Sequence, residues 1–235
     1  EWKLNLNEQD NEGNTGFMLA CSNKSDKVVS TLLEHHQNEA FKIDLPDKNG
    51  YNPFMNACKN NCDKVVPILL EKAEEHNIDL AKTDVKGNNG FMIACKHNSD
   101  KVVAILLEQN PMDVHKRNKS GMNGFMLACE NKVIHTPVHP PDTCIEPRTS
   151  PPHMHKVLKM MFDKNSTFQF DFNAIDCNGR SGFILAAINK REEAVDCILA
   201  NYQNHDINIE YINKKNGYSS LDYVRQNWPN KTQPK

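Results

Sequence analysis

The chain lacks any apolar run approaching the ~18 residues that a membrane-spanning helix needs, so no membrane insertion is expected. It has eight cysteines but no C-x-x-C pair and no secretory context, so neither a zinc finger nor a disulfide framework is supported. Charge of one sign is also missing. The 28 Lys and Arg nearly cancel the 30 Asp and Glu for a net charge of -2, which argues for neither nucleic acid nor a membrane surface as partner. There is no G-x-S-x-G, no phosphate-cradling glycine loop and no H-E-x-x-H, so no catalytic constellation, small-molecule substrate or cofactor is expected. Four glycosylation-like triplets are discounted for want of a secretory route. Initiator Met and signal peptide are absent, and the opening Glu1-Trp2 falls in mid-unit, so the sequence reads as a fragment of an intracellular protein.

A 38% hydrophobic and 25% charged composition permits a buried core. The dominant feature is an internal repeat. Gly13, Gly50, Gly87, Gly121, Gly179 and Gly217 are each followed, four residues on, by Phe17, Phe54, Phe91, Phe125, Phe183 or Leu221. The first five are followed, seven residues on, by Ala20, Ala57, Ala94, Ala128 and Ala186. Three residues before each Gly stand Asp10, Asp47, Asp84, Asn118, Asp176 and Lys214. A second block, such as Val28-Val29 with Leu32-Leu33, has the i, i+1, i+4, i+5 spacing of an apolar helix stripe. Asp26, Asp63 and Asp100 lie where a first turn favours a carboxylate. Each unit thus reads as turn, short helix, turn, longer helix. Alternating runs such as Ile43-Asp44-Leu45 and Ile78-Asp79-Leu80 suit extended arms between units. The units fall at roughly 10–43, 47–80, 84–114, 118–173, 176–209 and 214–228, five full and one partial, in a single domain over 1–235.

At these residues the sequence resembles the ankyrin repeat, whose T-P-L-H-x-A signature appears as Thr15-Gly16-Phe17-Met18-Leu19-Ala20, Asn52-Pro53-Phe54-Met55-Asn56-Ala57 and three further in-phase copies. The resemblance implies an all-α repeat solenoid: a stack of helix-turn-helix units with short hairpin-like turns. The chain departs from the family where the signature His is Met or Ile throughout, which implies a greasier, less cooperative contact between units. The signature Pro survives only at Pro53, and Lys24-Ser25, Asn61-Cys62 and Asn98-Ser99 replace the Gly-His pair between helices.

Cys21, Cys58, Cys95 and Cys129 follow the repeated Ala and are expected to be small core residues, as is Cys197; Cys62, Cys144 and Cys177 fall on turns or the insertion, where exposure is expected. Met18, Met55, Met92 and Met126 match the stacking face and are expected in the core. Between the two helices of unit four an extra segment, 132–152, holds half of all the prolines and is expected to be an extended loop. Its His135, His139 and Cys144, with His153 and His155 beyond, fit no zinc spacing, so no metal site is expected. Pro137-Val138-His139-Pro140 has a PxxP form, and Thr136-Pro137 and Ser150-Pro151 have the form of proline-directed phosphosites.

In the ankyrin family, turn tips and first helices line a concave protein-binding face. The matching residues here are Lys48, Asn49, Tyr51, Lys59, Asn60, Lys86, Asn88, Lys96, His97, Lys119, Met122, Asn131, Arg180, Asn189 and Tyr218, with Tyr51, Met122 and Tyr218 as apolar anchors. Over all the turn-tip and first-helix positions, seven cations stand against Glu12 and Glu130, a surplus of five. The expected function is protein–protein interaction as an adaptor or recognition domain, with a partner that offers an acidic segment. Alternatives are a regulatory segment of a larger channel or enzyme and, from the Asn and Lys bias, an effector of an intracellular microbe. Nucleic acid fits less well, because the face lacks the interleaved aromatics and Arg that stack on bases.

Overall fold

The computed structural model describes residues 5–35, 41–109, 113–130 and 156–229; Asn131 and the insertion 132–152, with its PxxP and phosphosite motifs, lie outside the described residues. Among the described residues there are twelve helices and no strand. Units one to five each hold a first and a second helix: α1 (Gly16–Ser22) with α2 (Asp26–His35), α3 (Pro53–Lys59) with α4 (Val65–Glu71), α5 (Gly90–Lys96) with α6 (Asp100–Gln109), α7 (Gly124–Glu130) with α8 (Lys156–Asp163), and α10 (Gly182–Ile188) with α11 (Glu192–Asn201). Unit four adds a short turn of helix, α9 (Asn165–Phe168), and α12 (Ser220–Asn227) is the first helix of unit six.

Each first helix begins on a side-chain cap. Thr15, Asn52, Asn89, Asn123, Ser181 and Ser219 accept the N–H three residues on, at 2.9 to 3.3 Å. Such a cap stabilises a helix by about 1 kcal/mol, a large share for helices of seven or eight residues that are marginal alone. The rest comes from burial: Phe17, Phe54, Phe91, Phe125 and Phe183 are all at most 2% exposed. Met18, Met55 and Met92 are buried with them, as are Cys21, Cys58, Cys95 and Cys129.

First helices stack one on the next, α1 on α3, α3 on α5, α5 on α7, α7 on α10 and α10 on α12. The packing explains a departure from the signature. A Cβ on Gly90, Gly124 or Gly182 would lie 2.5, 2.7 or 2.6 Å from Cε1 of the Phe in the preceding unit. Phe in place of the signature Leu thus takes the room that a Pro ring would occupy one unit later. Pro53 and Ser220 hold a Cβ at the same register, so the ring beneath can yield, at a cost.

The absent signature His does not leave the joints purely apolar. The capping asparagines also donate to the turns that lead from one unit to the next. Asn52 Nδ2 reaches Asp79 O at 3.0 Å and Asp44 Oδ1 at 2.7 Å, Asn89 Nδ2 reaches Asp113 O at 2.8 Å, and Asn123 Nδ2 reaches Asp171 O at 2.8 Å. Cys62, expected on an exposed turn, is fully buried because its Sγ faces the end of α1 and donates to Ser22 O at 3.5 Å. Ser99 Oγ makes the equivalent bond to Lys59 O at 3.1 Å. The left-handed position before each second helix is filled by Lys24, Asn61, Asn98 and Lys190, with φ of 53° to 59°.

The runs expected as extended arms are tight turns instead. Asp79, Asp113, Asp171 and Asn208 accept the backbone N–H two residues on, at 2.8 to 3.1 Å. The apolar neighbours Ile78, Val114, Phe172 and Ile207 point into the core. A carboxylate or amide that offers a local bond competes with strand pairing, and here it wins.

Candidate interaction face

The turn tips are built on Asp-x-x-Gly. Asp47 Oδ1 accepts from the N–H groups of Asn49 and Tyr51 at 2.8 Å, and Asp84 Oδ1 accepts from Lys86 N at 2.9 Å and Asn88 N at 2.8 Å. In units one to five the Gly N–H closes on the carbonyl of the Asp or Asn at 2.9 Å. At Gly50 the geometry demands glycine twice: φ is +81°, and a Cβ would meet Val85 N at 3.0 Å. The N–H and side-chain amide of Asn14 hold the Asp10 carboxyl below its ordinary range. In unit six the turn is one residue longer. Asn213, not Lys214, accepts from Lys215 N at 3.0 Å and from Gly217 N at 2.8 Å.

Successive tips are joined by backbone bonds: Lys48 N to Glu12 O at 3.1 Å, Val85 N to Asn49 O at 3.0 Å, Lys119 N to Lys86 O at 3.0 Å and Cys177 N to Ser120 O at 2.9 Å. The tips therefore form one continuous row. Lys48, Asn49, Lys86 and Lys119 are exposed along it. Lys119 Nζ rests on Val85 O at 2.9 Å, and Lys215 Nζ rests on Cys177 O. On the first helices Lys59 is exposed, with Nζ 5.5 Å from the centre of the Tyr51 ring. Asn60 and Asn189 donate back to their own helices, to Asn56 O and Leu185 O at 2.9 Å.

Three residues of the expected set face inward. Tyr51, Asn88 and Met122 are 9%, 1% and 4% exposed. All three occupy the fourth position after the turn Asp or Asn, where the backbone N–H is tied down and the side chain turns toward neighbouring units. Tyr51 packs with Met55 and Ile93, and Asn88 accepts from Asn118 Nδ2 at 2.8 Å. Tyr51 and Met122 thus cannot serve as exposed anchors. Arg180 is half-buried and committed to Asp176, with Nε at 2.8 Å and Nη2 at 2.6 Å from the carboxylate. The large apolar residues exposed at turn-tip and first-helix positions are Leu19, Val85, Ile188 and Tyr218. The position directly after the turn Asp points outward, and that register is the signal that would have singled out Val85.

The electrostatics need a fuller count than the tips alone. Asp10, Asp47, Asp84 and Asp176 lie under the tips, so seven cations stand against six carboxylates. The surplus is local. Units two to four set Lys48, Lys59, Lys86, Lys96 and Lys119 against Asp47, Asp84 and Glu130, because Asn118 replaces the turn Asp in unit four. Those five lysines make no ion pair among the described residues, whereas Lys82, Lys101, Arg117 and Lys156 are paired across units with Asp44, Asp63, Asp171 and Asp100. His97 lies among them. Partial desolvation, with Lys59 and Lys96 nearby, holds its imidazole down to about 4, so it is neutral at physiological pH.

Among the described residues, no three His, Cys, Asp or Glu side chains converge as a metal site would require, and no helix is long and apolar enough to cross a membrane. No curated protein matches the chain. A family model for ankyrin repeats (3 copies) matches residues 3–84. The ankyrin-repeat match thus covers residues 3–84, and the same capped first helix on the same Gly-closed turn recurs beyond it as far as α12.

Proposed function

We propose that the chain is a protein-binding module whose partner presents an acidic segment to the turn tips and first helices of units two to four. Ankyrin repeats are in general protein–protein interaction modules. The observation that favours an acidic partner is the gathering of Lys48, Lys59, Lys86, Lys96 and Lys119 on one face with no ion pair among the described residues, whereas Lys82, Lys101, Arg117 and Lys156 are neutralised by carboxylates of neighbouring units. Unpaired surface lysines cost little in isolation and attract an oppositely charged surface at long range. Their main effect falls on association rate, which declines as salt screens the field. The test is the association rate of captured partner against ionic strength, for the natural chain and for a Lys48→Gln, Lys86→Gln, Lys119→Gln triple variant. Association should slow with salt for the natural chain and roughly half as steeply for the variant, which keeps two of the five lysines. A flat response in both would remove the acidic partner from the reading.

A further inference from the structure

The row of tips constrains the shape of the partner segment as well as its charge. Each tip touches the next through a single backbone bond of about 3 Å, so neighbouring turns lie side by side like strands. Each turn contributes two arms, and strand-like arms are spaced about 4.8 Å apart, so units repeat roughly every 10 Å along the row. An extended chain advances about 3.3 Å per residue and covers one unit in three residues. A helix advances about 1.5 Å per residue and needs about seven.

The apolar content of the face separates these two shapes. A helix docks by laying an apolar stripe into an apolar groove. In units two to four the only large apolar side chain exposed among the described residues is Val85, since Tyr51, Ile93 and Met122 are turned inward. The face offers charge and amides instead. Resting on the proposed acidic partner, we infer that the docking segment is an extended acidic chain that runs along the stack with carboxylates at every third residue, one each for Lys48, Lys86 and Lys119.

The test uses the whole chain and three synthetic peptides, with binding followed by backbone amide shifts at low ionic strength. One peptide has four Glu-Ser-Gly triplets. A second has the same composition with its four Glu adjacent. A third is an alanine-rich helix with Glu at every seventh residue. The triplet peptide should bind roughly tenfold more tightly than the clustered one, the size expected of three exposed ion pairs acting together. It should shift the amides of Lys48, Lys86 and Lys119, and Lys86→Gln should remove most of its advantage. Equal affinity for triplet and clustered peptides would overturn the register and leave the acidic partner standing. Tighter binding of the helical peptide would overturn the extended shape. Binding of none of the three would overturn both the register and the acidic partner.

Discussion

Replacing Arg191 with methionine or serine should make the stack more stable. Arg191 is 5% exposed, and its Nε and Nη1 are buried with no hydrogen-bond partner. Burial pulls its guanidinium below its ordinary pKa. It occupies the register of Ser25, Cys62 and Ser99, where a small donor meets a carbonyl of the preceding first helix. It is also the N-cap of α11 and provides no side-chain cap. An unsatisfied buried group costs about 1–3 kcal/mol, more when charged. Arg191→Met keeps the apolar stem, worth about 2 kcal/mol of buried methylenes, and removes that cost. Arg191→Ser gives up the stem but gains a cap of about 1 kcal/mol and a donor of the kind Ser99 supplies. Both balances come out near +1 to +2 kcal/mol. For a chain of this size that is roughly 2–8 °C in melting temperature. Urea unfolding followed by far-UV circular dichroism is the assay, because repeat arrays need not melt in one step. If both variants lose more than about 1 kcal/mol, the guanidinium is well satisfied in the folded chain and the reasoning fails.

Three more outcomes follow from the packing and the charges. Gly124→Ala should destabilise by about 1–3 kcal/mol, against the usual benefit of alanine in a helix, because the new Cβ meets Phe91 Cε1 at 2.7 Å. Gly16→Ala, with nothing within 4 Å, should instead stabilise by about 0.5–1 kcal/mol, and paired urea melts that show the same sign at both sites would sink the ring-clearance account. Asn89→Ser should keep the cap of α5 and lose only the bond to Asp113 O, costing about 1 kcal/mol, while Asn89→Ala should lose both and cost about 2, again by urea melts. His97 has a folded pKa of about 4, below its ordinary value, so the unfolded chain binds the extra proton between the two. Its contribution is whole above pH ~6.5 and is lost as pH falls through about 4. Imidazole proton shifts should locate that pKa and move it upward in Lys59→Gln, and an unperturbed titration would contradict the assignment.

The fold was legible because its markers lie on positions with a single structural job. A turn that closes on Gly50 and a Phe at Phe54 recur whatever the surroundings, since positive φ and a filled core tolerate few substitutes. The direction of individual side chains was not legible. Tyr51, Asn88 and Met122 turn inward, and for the first two the partners, Ile93 and Asn118, come from the next unit. The second role of Asn52, Asn89 and Asn123 was hidden for a similar reason. Their cap is local and readable, but the second bond depends on a carbonyl brought in by the turn that leads out of the unit. Asn213 shows the limit of counting, because one added residue moved the anchor without disturbing the closing Gly217.

The amide clasps are unevenly distributed, and the stack inherits a grain from them. Asn52, Asn89 and Asn123 tie their first helices to the turns that lead out of units two, three and four, while Thr15 and Ser181 cap their helices with hydroxyl groups and hold no such turn. In a one-dimensional array each joint holds or opens largely on its own terms. Thermal wear should therefore begin at the flanks and work inward, leaving a durable middle. That middle is the stretch that carries the unpaired lysines, so the proposed partner surface is set in the last part of the array to come undone.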